Sequence, residues 1–171
     1  AEFPLDLTRI ILAGDDSGGA LVTSLAYQLE VANCEKIYKI LLLCPIMNVA
    51  FDTNSYHQFA GGYDLTREQM KWSWEQYLTA DKDVKDISIS PLQANFDVLK
   101  KLPETLIITA EADVVRDEAE SFARKMRDAG GNVTQIRMQG TIHNFMIHNV
   151  LDETNTCRLA MNIAVDWIKK R

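Results

Sequence analysis

The chain has 171 residues, 47% of them hydrophobic, with 18 Lys and Arg against 24 Asp and Glu and a net charge of −6. That length suits a single domain over residues 1–171, with a core of its own, and an acidic balance with no basic patch argues against a nucleic-acid partner. No apolar run is long enough for a membrane span and no leader is read at the N-terminus, while Cys34, Cys44 and Cys157 show no CxxC spacing, which argues against a disulfide or zinc framework and for a reducing, cytoplasmic setting.

In chain order, "RIILA" (Arg9 to Ala13) is a short apolar strand that runs into "GDDSGG". "ALVTSLAYQLEVAN" then places Leu21, Leu25, Tyr27 and Leu29 mainly on one face of a helix. "IYKILLLCP" is a nearly continuous apolar run closed by Pro45, the pattern of a strand buried on both faces, and Cys44 within it reads as a core thiol. The segment from Met47 to Asp64 is irregular and long for a plain connection, long enough to line a pocket. "LTREQMKWSWEQYL" opens with Thr66 and Gln69 at capping-box spacing and reads as a helix. Trp72 and Trp74 in it, and Trp167 later, are expected in the core.

A second irregular stretch runs from Thr79 to Leu102. "TLIITAEAD" is the third strand, and "DEAESFARKMRDAGG" is an amphipathic helix, acidic at its start and stopped by Gly130 and Gly131. "NVTQIRMQG" alternates as a fourth strand, and "NTCRLAMNIAVDWIKK" is the last helix. Its basic end, Lys169, Lys170 and Arg171, suits a helix C-terminus. Strand and helix alternate throughout, which defines an α/β fold: a parallel sheet of about four strands flanked by helices, with right-handed crossovers.

In such a sheet, chemistry gathers at the carboxyl ends of the strands. Three of those ends carry candidates: "GDDSGG" after the first strand, Asp113 in "EADVVRDE" after the third, and His143 in "QGTIHNF" after the fourth. Nucleophile, acid, histidine is a known triad order on α/β sheets. A nucleophile turn needs small residues two before and two after its apex. Gly14 and Gly18 bracket Asp16 in that way. An apex at Ser17 would put Asp15 where a small residue is needed, so Asp16 is placed at the apex and Ser17 at the helix start, where its N–H can bind an oxyanion. Taken singly the features are weaker. "IHNF" alone reads as a structural histidine, Asp113 alone as a first-turn acid, a role Asp117 and Glu118 fill equally well. His57 and His148 have no partner motif and are left structural.

Together these segments resemble the hormone-sensitive-lipase-like branch of the α/β-hydrolases. "LAGDDSGG" is similar to that family's "AGDSAGG", "GTIHNF" to its "GMIHGF", and "SPLQANFDVLKKLPETLIITAEADVVRDEAESFARKMRDAGG" to its acid-bearing strand and helix. "FAGGYDLTREQMKWSWEQYL" resembles its lid-adjacent helix region. The resemblance implies that Asp113 orients His143 and that His143 is the general base of ester hydrolysis, with small-molecule esters as substrates and neither metal nor other cofactor. It also implies that the chain corresponds to the C-terminal half of the fold, a half-sheet, without the "HGGG" loop that supplies further oxyanion donors. An open sheet edge then favours a homo-oligomer or a complementing chain.

Where the family has serine, this chain has Asp16. Three readings stand: an aspartate nucleophile, as in haloalkane dehalogenases and epoxide hydrolases; loss of the serine, natural or engineered; or a shifted elbow that uses Ser17. Nothing else here resembles a halide or epoxide site, so the loss is favoured. The expected function is a carboxylic-ester hydrolase scaffold that is inactive as given. The alternative is a non-catalytic ligand-binding or interaction protein, since the family includes plant gibberellin receptors.

Overall fold

The alternation folds into a four-stranded parallel sheet whose spatial order follows the chain, β1, β2, β3, β4. The structure is a computed structural model and describes residues 6–32, 37–79 and 83–170. The elements are β1 (Ile11–Asp15), α1 (Ser17–Val31), β2 (Lys39–Leu43), α2 (Asn54–Gln58), α3 (Arg67–Tyr77), α4 (Phe96–Leu99), β3 (Glu104–Ala112), α5 (Arg116–Asp128), β4 (Val133–Ile142) and α6 (Asn155–Lys169). Cys34, Arg171 and the end of the helix expected through Asn33 lie outside the described residues.

The sheet is covered on both faces, which is why β2 and β3 read as continuous apolar runs. Successive side chains alternate between faces. Ile40, Leu42 and Ile107 therefore meet α1 and α5 through Ala26, Tyr27, Phe122 and Met126, while Leu41, Leu106 and Ile108 meet α6 through Cys157, Ala160 and Ala164. A third cluster, Ile46, Tyr56, Phe59, Met70, Trp74 and Val115, ties α2 and α3 to the end of the sheet that bears the strand C-termini. No helix among the described residues is long and apolar enough to cross a membrane.

Several expectations need correction. β1 starts two residues later than "RIILA" and continues through Gly14 and Asp15, because the ladder to β2 runs on to Gly14↔Leu42 and Asp15↔Leu43. The stretch from Met47 to Asp64 is not wholly irregular, since it holds α2, and the later one holds α4 and a 3₁₀ turn at Pro91–Gln93. α1 buries only part of the expected face: Tyr27 is buried and Leu29 half-buried, but Leu21 and Leu25 are not. Ala20, Thr23, Ser24, Ala26 and Tyr27 face the protein, while Leu21 and Leu25 are 57% and 42% exposed. Small residues on the inner face let the helix sit close to the sheet, and that choice turns Leu21 and Leu25 outward. Trp72 is exposed and Trp74 buried, as a two-residue step of about 200° on a helix requires; Trp167 is half-buried.

The C-terminus of α6 has a partner the sequence did not reveal. Lys39, the first residue of β2, is 1% exposed. Its ammonium donates to the carbonyls of Trp167 at 2.9 Å and Lys170 at 2.8 Å, with Glu104 3.7 Å away. A buried cation thus satisfies the orphan carbonyls of the helix end, from inside the protein rather than from the basic tail.

Candidate active site

The ends of all four strands converge, and each contributes a polar residue to one cluster: Asp16 after β1, Cys44 after β2, Asp113 after β3 and His143 after β4. Two of the four sit on unusual backbone: Asp16 (φ 49°) and Cys44 (φ 42°), and Asn144, which follows His143, has φ 55°. Left-handed backbone at non-glycine residues is uncommon and concentrates at functional sites.

The turn from β1 to α1 is a single residue. Asp16 lies between Asp15 and Ser17 with φ 49° and ψ −123°. Its N–H donates to the Leu43 carbonyl (3.0 Å), and its carbonyl accepts from Gly19 (3.0 Å) and Ile46 (3.1 Å). The apex is therefore Asp16, and Ser17 is the first helical residue, whose N–H has no intrahelical acceptor. Strand and helix approach so closely that a Cβ on Gly14 would lie 2.3 Å from the Gly18 carbonyl oxygen. The second tight position is not Gly18, where a Cβ would meet nothing, but Gly19, where it would lie 2.4 Å from Cβ of Pro45.

Asp113 and His143 are 1% and 2% exposed. The Nδ1 of His143 is 2.9 Å from Oδ2 of Asp113, and the N–H of Val115 donates to Oδ1 at 3.0 Å, which fixes the carboxylate plane. On the far side of the imidazole, Nε2 faces Oδ1 of Asp16 at 3.4 Å. That is a close charge contact rather than a hydrogen bond, and both atoms are buried with no hydrogen-bond partner among the described residues. Burial opposes the charged imidazole, but the charge and hydrogen bond of Asp113, reinforced by Asp16, outweigh it and push the pKa of His143 up to about 10. The structure thus brings together Asp16, Asp113 and His143, with Ser17 beside them.

Two neighbours carry no motif that points to them. The Sγ of Cys44 lies within 4.8 Å of the facing atoms of Asp113 and His143. Burial, and then the Asp113 charge, push its thiol well above its ordinary value. These three are the described residues whose donor atoms come near enough to share an ion. A thiol held protonated beside an existing Asp–His hydrogen bond fits a hydrogen-bonded array, not a ligand set. The second neighbour is Glu118, 1% exposed. Burial pushes its carboxyl up to about 8 against the N–H groups of Met47 and Asn48 that donate to it. His148, left without a partner by the sequence, pairs with Asp64 at 2.9 Å, and His57 is exposed on α2.

Beside Ser17 opens a pocket of about 280 Å³, lined by Ala20, Leu21, Ile46, Met70 and Trp74 among others. The segment from Met47 to Asp64, expected to line a pocket, supplies none of this lining; α1, α3, Ile46 and, from the later irregular stretch, Ser88 and Ile89 do.

A parallel sheet with a one-residue strand–helix elbow and an Asp–His pair on two later strand ends defines the class, a hydrolase-type α/β fold. The family described as an alpha/beta hydrolase fold matches residues 1–147, and the chain belongs to that family. It is 37% identical over 162 residues to the vegetative-specific protein H5 of Dictyostelium discoideum, covering 93% of this chain and 48% of that protein. It resembles the crystal structure of a thermostable esterase from Pseudomonas putida with a TM-score of 0.92 and 40% identity, over 95% of this chain and 51% of that one. A gibberellin receptor of Arabidopsis thaliana is 29% identical over 154 residues, 85% of this chain and 44% of the receptor. The chain spans about half the length of the curated relatives it matches.

Proposed function

We propose that the chain is a carboxylic-ester hydrolase scaffold in which Asp16 stands at the nucleophile position and leaves it without ester turnover as given. One observation carries the reading: Nε2 of His143 faces a carboxylate at 3.4 Å where a general base would face a hydroxyl. In the parent reaction a serine attacks the ester carbonyl, His143 takes its proton, Asp113 holds the imidazole, and backbone N–H groups bind the oxyanion. Asp16 removes the first step. It is a weak attacker of ordinary esters, its acyl product would be an anhydride, and its charge repels a developing oxyanion. It also pairs with His143, which then holds its proton at neutral pH instead of accepting one.

The test is hydrolysis of p-nitrophenyl acetate at neutral pH by the chain and by its His143→Ala variant. Both are expected at the buffer rate. Turnover with an acetyl group carried on Asp16 as a mixed anhydride, trapped with hydroxylamine and located by mass spectrometry, would establish the aspartate nucleophile instead. Turnover lost in Ser17→Ala would establish the shifted elbow.

The second reading, a non-catalytic ligand-binding protein, is supported by the apolar pocket beside Ser17, which does not depend on the nucleophile, and by the similarity to the Arabidopsis receptor. Saturable binding of small apolar esters or acids at this pocket, with no turnover, would favour it.

Association is also proposed. Among the described residues β1 pairs with β2 alone, Ala13 on it is exposed, and Leu21 and Leu25 of α1 are exposed. An unpaired strand edge and exposed leucines each favour a second copy or a complementing chain. Light scattering at micromolar concentration is expected to give a mass above the 19.3 kDa of the chain. A monomer that binds no hydrophobic dye would overturn this.

A further inference from the structure

We infer that Glu118 is a positioning residue for the Asp16 elbow, acting through the loop that follows β2. The inference rests on the reading of Asp16, Asp113 and His143 as the centre of the site, and adds a residue that touches none of the reacting atoms.

The connection is continuous in hydrogen bonds. Oε1 of Glu118 accepts the N–H of Met47 at 2.7 Å and that of Asn48 at 3.2 Å. One residue earlier, the N–H of Ile46 donates to the carbonyl of Asp16 at 3.1 Å. The loop is thus held at one end by an α5 carboxyl and at the other by the apex of the elbow. A third bond, from the N–H of Leu92 to the Met47 carbonyl at 2.9 Å, stops it from sliding. Asp117, next to Glu118, repeats the device on the following segment. Its Oδ2 accepts the N–H of Ser55 at 2.8 Å, and the Ser55 hydroxyl donates to the Val114 carbonyl at 2.6 Å.

The origin of the brace matters. Glu118 lies in the first turn of α5, the same turn whose Val115 N–H fixes Asp113. The elbow and the acid-bearing turn are therefore tied to one rigid element. Asp16 sits on strained backbone (φ 49°), and such a residue keeps its place only where its surroundings over-determine it. The Ile46–Asp16 bond is one of those constraints, and Glu118 holds the loop that makes it.

A buried carboxyl with no salt-bridge partner among the described residues is a costly choice for a purely structural tether. Its two backbone donors and the nearby hydroxyl of Tyr56 account for it, and burial that raises its pKa to about 8 keeps it protonated at neutral pH. Glutamine copies that neutral form; methionine copies the shape but accepts no strong hydrogen bond.

The experiment is an NMR titration of His143 in the protein, in Glu118→Gln and in Glu118→Met, with thermal unfolding of each. In the unsubstituted protein the midpoint is expected far above 6.5, and Glu118→Gln should keep it there. In Glu118→Met it should fall by about one pH unit or more, because Asp16 is no longer held against Nε2. A structural role alone would lower the melting temperature of Glu118→Met and leave the His143 midpoint in place, and that result would overturn the inference. An unraised midpoint in the unsubstituted protein would instead overturn the reading of the site itself. Should Glu118→Met fail to fold, the unsubstituted protein still decides the matter. As Glu118 titrates, the amides of Met47, Ile46 and Ser17 should shift together; movement confined to Met47 and Asn48 would mean that the brace stops short of the elbow.

Discussion

Asp16→Ser is expected to yield at most a trace of esterase activity, at least about 10²-fold below an ordinary esterase. The substitution repairs two defects. It puts a hydroxyl beside Nε2 of His143, where Oδ1 of Asp16 now lies at 3.4 Å, and it removes one of the two anions that hold the imidazole protonated, bringing its pKa nearer the range in which a base works at neutral pH. The oxyanion remains poorly served. The elbow contributes the N–H of Ser17, and no His-Gly-Gly-Gly sequence occurs in these 171 residues to add more. Each missing donor costs about 10²–10³ in rate. The measurement is p-nitrophenyl acetate turnover by Asp16→Ser, with Asp16→Ser/His143→Ala as control. Turnover within tenfold of an ordinary esterase, abolished in the control, would show that this chain holds a complete site and that Asp16 alone keeps it from ester turnover, with no shortage of oxyanion donors.

The sheet and its chemistry-bearing ends were legible because each leaves a local mark. Both-face burial of β2 and β3 writes itself as apolar runs, and the elbow writes itself as glycines whose need is steric, most clearly Gly14 against the Gly18 carbonyl. What stayed hidden depends on partners far away in the chain. Lys39 reads as a surface cation until the α6 carbonyls arrive 128 and 131 residues later. Glu118 reads as an ordinary first-turn acid of α5. Only the fold shows that its side chain turns inward to a loop 71 residues before it. α1 misled for a related reason: its leucines are more hydrophobic than the small residues that actually face the sheet, and periodicity counts hydrophobicity, not closeness of approach. Cys44 read as a core thiol and is one, but that it borders Asp113 and His143 follows from the convergence of strand ends, which no local pattern encodes.

Stability is expected to fall as pH rises from about 5 to about 10, opposite to the behaviour of a protein whose titration is governed by salt-bridged carboxylates. Two buried groups set the sign. His143 binds its proton more tightly in the fold, with a pKa of about 10 against an ordinary 6.5. Its contribution is complete below 6.5 and is lost as pH climbs through the raised value. Glu118, at about 8 against 4.5, also keeps its proton longer in the fold, so its unfolded form is increasingly favoured from 4.5 up to about 8, and above that the difference is constant. The windows overlap and the signs agree. At about 1.4 kcal/mol per pH unit, each group contributes up to about 5 kcal/mol. A third of the combined maximum lowers the melting temperature by about 6–12 °C for a chain of this size. At the acid end the surface carboxylates Glu68 and Asp97, held low by hydrogen bonds from Lys71 and Lys100, act in the other direction as they take up protons, which places the optimum near pH 5. Melting temperature by circular dichroism across this range checks the slope, and two variants apportion it. Glu118→Gln should flatten the lower part of the fall. Asp16→Asn, which removes one anion beside His143 and tolerates the left-handed backbone, should move the upper part to lower pH. A melting temperature that is level or rises from pH 5 to pH 10 would mean that His143 does not sit, charged, between Asp16 and Asp113.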